Sequence, residues 1–166
     1  LKGYSFEPMF RAIKTDLFFP LHGDVITWRE RADRLENYVL SQGIYGDRWF
    51  DEKRWHVKKY RGLEFHTKNQ TDEERAIQAD ITSVRDLVTL PLQRFAEKIE
   101  CCKTGSEMAQ ALFELMEELQ IYEKLQALKD TENEQGQLLL ATEHEQAWSQ
   151  GIDVLDQFVL MFGNEE

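Results

Sequence analysis

Thr71-Asp-Glu-Glu-Arg-Ala-Ile-Gln-Ala-Asp-Ile-Thr-Ser-Val-Arg-Asp-Leu-Val-Thr-Leu-Pro-Leu-Gln-Arg-Phe-Ala-Glu-Lys-Ile99 is the stretch that decides the fold. Thr71 and Glu74 have the spacing of a capping box, in which each side chain takes up the other's free backbone N–H. Behind them Ile77, Ile81, Val84, Leu87, Val88, Leu92, Phe95 and Ile99 recur at three and four residues, the apolar side of a long helix. Pro91 sits inside that pattern. It has no N–H to donate and crowds the turn before it, so a kink or a split is expected there.

The same periodicity extends in both directions. Ser5 is a candidate cap for a first helix carrying Phe6, Met9, Phe10, Ile13 and Leu17, closed by Phe18-Phe19-Pro20. Asp24 is the candidate cap of a second, with Val25, Trp28, Ala32, Leu35 and Val39 inward and Arg29, Arg31 and Arg34 on its polar flank. Gly43 stands where a left-handed C-cap belongs, with Ile44 as the accompanying apolar contact. Downstream, Thr104 and Glu107 repeat the capping box ahead of Met108, Leu112, Leu115, Met116, Leu119, Tyr122 and Leu125. Lys129 to Gly136 reads as a polar loop. A last helix holds Leu139, Leu140, Trp148, Ile152, Leu155, Phe158, Val159 and Phe162, with Gly151 as a weak point. No period-two strand pattern is present. The expected fold is all-α: a single helical domain over 1–166, an irregular bundle of five or six helices, one kinked at Pro91.

Charge divides the chain. The 166 residues carry a net charge of −11, but residues 1–70 hold 13 Lys and Arg against 10 Asp and Glu. Residues 71–166 hold 7 against 21, a net of −14. A domain coated with nucleic acid is therefore excluded, and contact through one edge is not. That edge is Arg48 to Arg61, where Arg48, Lys53, Arg54, Lys58, Lys59 and Arg61 face only Asp51 and Glu52, with Trp49, Phe50, Trp55 and Tyr60 between them. Cations beside flat rings suit a groove for phosphates and unstacked bases. The same composition also suits a core-seeking aromatic cluster whose basic side chains reach water. The DNA-binding candidates are Arg48, Trp49, Lys53, Arg54, Trp55, Lys58, Lys59 and Arg61.

Catalytic patterns are missing. There is no phosphate loop for a nucleoside triphosphate and no dinucleotide fingerprint. His22, His56, His66 and His144 are scattered rather than paired at zinc spacing. Glu114, Glu117, Glu118 and Glu123 read as the solvated face of a helix. The two cysteines, Cys101 and Cys102, are neighbours with Cα atoms about 3.8 Å apart, short of the usual disulfide range of roughly 4.4–6.8 Å. They are expected to be free thiols in a reducing, cytoplasmic setting. No membrane-length apolar run occurs. The chain opens on Leu1 rather than Met and is expected to be an internal fragment of a larger protein.

Tyr4-Ser-Phe-Glu-Pro-Met-Phe-Arg-Ala-Ile-Lys-Thr-Asp-Leu17 and Leu35-Glu-Asn-Tyr-Val-Leu-Ser-Gln-Gly-Ile-Tyr-Gly-Asp-Arg-Trp49 together resemble the B subunit of the AddAB-type ATP-dependent helicase/deoxyribonuclease. The run Leu87 to Phe95 and the last helix, with Trp148 and Leu155-Asp-Gln-Phe158, are similar to that family as well. The resemblance implies a position in the inserted helical subdomain usually called 2B, within a complex that resects double-strand breaks for recombinational repair. It implies an A subunit and flanking domains as partners, and ATP with Mg and an iron–sulfur cluster for the parent. None of the ATP loop, nuclease carboxylates or cluster cysteines maps onto a residue here, so no catalytic, cofactor or metal residue is carried over. Two functions follow as expectations. One is a non-catalytic subdomain that touches DNA weakly through the basic–aromatic segment. The other is a purely structural protein–protein module with no DNA contact; a stand-alone enzyme has little support.

Overall fold

The computed structural model describes residues 5–57 and 70–163. Among them are six α-helices and no strand: α1 Phe6–Ile13, α2 Val25–Gln42, α3 Asp72–Cys101, α4 Gly105–Glu118, α5 Ile121–Glu134 and α6 Leu138–Phe162. Two single-turn 3-10 helices, Gly46–Trp49 and Glu52–Arg54, lie between α2 and α3. The chain divides into two compact units, Leu1–Leu90 and Pro91–Glu166.

Helix ends in the first unit follow from local chemistry. The Asp24 carboxylate accepts from the N–H groups of Ile26 and Thr27 and from the Thr27 hydroxyl, at 3.3, 3.2 and 2.6 Å, filling donors that a helix start leaves unpaired. Gly43 adopts φ 58°, and the N–H groups of Gly43 and Ile44 return to the carbonyls of Leu40 and Val39 at 3.3 and 3.0 Å. That is a Schellman ending, and buried Ile44 is its apolar contact. The capping box at α3 is complete: Thr71 N–H donates to Glu74 at 2.8 Å and Glu74 N–H to the Thr71 hydroxyl at 3.3 Å. α1 departs from its expected length. It ends at Ile13 because Asp16 turns to φ 63°, where its carbonyl accepts from Phe19 N–H and its carboxylate holds Arg29. Ser5 precedes α1 without a side-chain cap.

Phe10, Ile13, Leu35, Val39, Ile44, Trp49, Val84 and Val88 are the buried centre of this unit. Arg31 and Arg34 of α2 both reach Asp80 of α3, at 2.6 and 3.0 Å, so a polar clamp closes the edge of the apolar contact. α3 continues through Pro91 instead of ending there, and the division between the two units falls at Leu90/Pro91.

The second unit is built on small residues. Ala109, Ala111 and Ala141 are buried, and Gly105 lies so close to α6 that a Cβ there would stand 2.3 Å from the Phe162 carbonyl oxygen. The single apolar stripe expected from Met108 to Leu125 is broken in two, because Gln120 takes φ 53° and starts a new helix at Ile121. Lys129–Glu134, read as loop from its polarity, is helical. Its side chains find partners along and across helices: Lys129 pairs with Glu145 of α6 at 3.0 Å, and the Thr131 hydroxyl donates to the Ala127 carbonyl at 2.8 Å. α5 closes at Gly136 (φ 76°) with a second Schellman ending, in which Gln137 N–H reaches the Glu132 carbonyl at 2.8 Å. α6 passes through Gly151 unbroken and leaves Leu138, Leu139, Val154, Leu160 and Met161 in water, Leu160 85% exposed.

A Cβ at Gly43 meets open space, so Gly43→Ala tests backbone strain alone and is expected to lower stability by about 1 kcal/mol. Gly105→Ala must displace backbone and is expected to cost about 1–3 kcal/mol. Denaturant titrations followed by helix circular dichroism read both. A neutral Gly43→Ala would contradict the left-handed cap.

Candidate nucleic-acid interface

The turn between α2 and Val57 starts from the Schellman ending. Its freed Gly43 carbonyl accepts from Arg48 Nη1 at 2.8 Å, and the Arg48 guanidinium lies 4.2 Å over the Tyr45 ring. Gly46 (φ 57°) reverses the chain into the first 3-10 turn. Asp51 opens the second by accepting Lys53 N–H at 3.2 Å, and its other carboxylate oxygen is 3.7 Å from Arg54 Nε. At the far end, Val57 is tied to the start of α3. Its N–H donates to Gln78 at 3.2 Å and its carbonyl accepts from Gln70 at 2.7 Å.

Inside the turn, Trp49 is 0% and Trp55 2% exposed. Trp49 packs 5.9 Å from Phe10 of α1 and 5.6 Å from Trp55. Trp55 stacks on Tyr38 of α2 at 5.6 Å and 26°, and the Arg85 guanidinium of α3 lies 5.0 Å over it. The Trp55 Nε1–H is shared between the carbonyls of Arg48 and Trp49, at 3.3 and 3.1 Å. The Trp49 Nε1–H is buried without a partner among the described residues. Tyr38 donates its hydroxyl to the Arg54 carbonyl at 2.8 Å, and partial burial pushes its pKa up. These two indoles are part of the buried core of the first unit. Neither presents a face to solvent: of the two readings left open for Trp49 and Trp55, their burial matches the core-seeking aromatic cluster, with three helices closed over them.

The cations divide from the rings. Lys53 and Arg54 are exposed and Arg48 is half-buried. Neither Arg48 nor Lys53 forms an ion pair among the described residues. Lys58, Lys59 and Arg61 lie outside the described residues. Tyr45, which the composition of the basic segment did not single out, is 56% exposed. Its signal is that Ile44 is committed to the cap contact and Tyr45 follows it in extended backbone, so successive side chains point to opposite sides.

Among the described residues no metal-binding cluster is assembled: no three His, Cys, Asp or Glu side chains group to hold a metal. Cys101 and Cys102 are both free. Burial, with Glu107 close by, pushes the Cys102 thiol up, which opposes the thiolate that metal ligation requires. Two adjacent cysteines do not fit an iron–sulfur cluster, which takes four ligands. Among the described residues no helix is long and apolar enough to cross a membrane.

No family model matches the chain. It is 61% identical over 164 residues to the B subunit of the ATP-dependent helicase/deoxyribonuclease of Lysinibacillus sphaericus, covering 99% of this chain and 14% of that protein. It is 41% identical over 162 residues to the B subunit of the same enzyme in Geobacillus thermodenitrificans, and 41% over 167 residues to that in Listeria innocua. These cover 98% and 100% of the chain and again 14% of each relative. The chain spans about one seventh of the length of the curated relatives it matches.

If Trp49 is core, Trp49→Ala is expected to cost about 3–5 kcal/mol. Trp55→Phe, which deletes the shared N–H donor and some volume, is expected to cost about 1–3 kcal/mol. Equilibrium unfolding of each variant reads the loss. Wild-type stability for Trp49→Ala would contradict the burial.

Proposed function

We propose, on the premise that this chain belongs to the family of ATP-dependent helicase/deoxyribonuclease B subunits as one segment of such a protein, that it is a helical subdomain without chemistry of its own which touches DNA. The observation that carries this is the sorting of the turn: Trp49 and Trp55 are enclosed while Lys53 and Arg54 stand in water, and Arg48 has no acidic partner among the described residues. Buried rings make a rigid base, and cations fixed above it suit phosphates, which position a strand without reading its sequence. In this reading the parent unwinds and degrades DNA at double-strand breaks in recombinational repair, in the cytoplasm and together with an A subunit. Its ATP, Mg²⁺ and iron–sulfur cluster are held by other parts of the parent.

The second reading, a structural module with no DNA contact, is favoured by α6. Leu138, Leu139, Leu160 and Met161 are too exposed for an isolated surface and suit packing against neighbouring domains or the A subunit. The two roles are compatible, since they use different units.

The chain is expected to bind DNA weakly, because the acidic half opposes the local positive charge. By fluorescence anisotropy at several salt concentrations, Lys53→Ala with Arg54→Ala should weaken binding to all sequences alike. It should also flatten the salt slope on single strands by about 0.7 per contact removed. Lys58→Ala with Lys59→Ala should act in the same direction. An unchanged slope in both pairs would leave the structural reading. The chain is also expected to show no ATP hydrolysis or nuclease activity with Mg²⁺; turnover abolished by a substitution in this chain would overturn the non-catalytic assignment.

A further inference from the structure

We infer that Tyr45, backed by Arg48, is the surface on which a base of single-stranded DNA stacks. This rests on the DNA-contact reading above and gives that contact its aromatic component.

A stacking platform needs an exposed ring face, a fixed ring plane and a cation close by. Of the rings around the turn, Trp49 and Trp55 are closed off, Tyr38 has a face against Trp55, and Phe50, 37% exposed, is less open than Tyr45 at 56%. Tyr45 meets each requirement. It is more than half exposed and makes no ring–ring contact among the described residues. Its backbone is held on both sides. Ile44 is buried in the helix cap before it, and the Tyr45 carbonyl accepts Arg48 N–H at 3.2 Å after it. The left-handed glycines Gly43 and Gly46 flank these two residues and set the direction in which the ring leaves the surface.

Arg48 completes the platform. Its guanidinium covers one ring face at 4.2 Å and is pinned by the Gly43 carbonyl, so a base has the opposite face to occupy. A guanidinium has five N–H donors, and a single one is used, on Gly43, among the described residues. With no carboxylate on it there, Arg48 keeps its charge and spare donors for a phosphate or a base edge. A duplex keeps its bases stacked on each other, so the ligand is a single strand.

In the full-length protein carrying this segment, single-stranded DNA substituted with 5-iodouracil and irradiated should crosslink to the peptide containing Tyr45. Tyr45→Phe should retain that crosslink and Tyr45→Ala should lose it. For the chain itself, Tyr45→Ala should weaken single-strand binding roughly 5- to 150-fold while leaving duplex binding within about twofold, and Tyr45→Phe should match wild type. Circular dichroism melts check that the variants stay folded. If Tyr45→Ala binds single strands like wild type while Lys53→Ala with Arg54→Ala binds more weakly, Tyr45 is not the platform and the phosphate contact stands. If neither alters binding, the DNA reading falls with it. Unchanged DNA affinity together with loss of co-purification of the A subunit would overturn the inference in favour of a protein contact.

Discussion

The first unit depends on the enclosed contact between Trp49 and Trp55. Each indole removes about 150–250 Å² from water, which at roughly 25 cal/mol per Å² gives about 4–6 kcal/mol as an upper estimate. The two rings also do what no aliphatic pair would. Trp49 meets α1 through Phe10, Trp55 meets α2 through Tyr38 and α3 through Arg85, and the Trp55 N–H ties one 3-10 turn to the next. A segment with only two single 3-10 turns of its own thereby acquires a fixed backbone. The cations on its outer side inherit that fixity, which lowers the conformational entropy lost when they meet a ligand.

Local signals were legible and tertiary ones were not. Asp24, Gly43 and the Thr71–Glu74 pair act within four residues of themselves, so spacing alone located them. The second box is shifted: Thr104 still takes Glu107 N–H, but the Glu107 carboxylate reaches Lys103 N–H one residue earlier than the motif implies. The break at Gln120 escaped because a non-glycine residue in the left-handed region leaves no mark on an apolar stripe. Polar composition misled at Lys129–Glu134, where tertiary context overrides the weak propensity of Asp130, Thr131 and Asn133: Lys129 pairs with Glu145 of α6 and the Thr131 hydroxyl donates to the Ala127 carbonyl.

At the site, composition found the cations and could not orient the rings. In a helix or strand, period assigns each side chain to a face. Between Gly46 and Val57 there is no sustained period, and Trp beside Arg describes a buried cluster and a binding groove equally well. Tyr45 was hidden differently: it stood in a turn that the capping argument had already explained. In the acidic second unit the helices were legible from the Thr104 cap and the apolar stripes, but their packing was not. That packing rests on Gly105, Ala109 and Ala141, residues too small to stand out in a hydrophobic pattern.

The central claim is that the turn's outer face meets DNA while its inner face is core. Lysine acetylation of the full-length protein, followed by mass spectrometry with and without saturating single-stranded DNA, tests it most directly. Lys53, exposed on the turn, should lose reactivity when DNA is present, and Lys103, exposed in the acidic unit, should keep it. Equal modification of Lys53 with and without DNA would contradict the account.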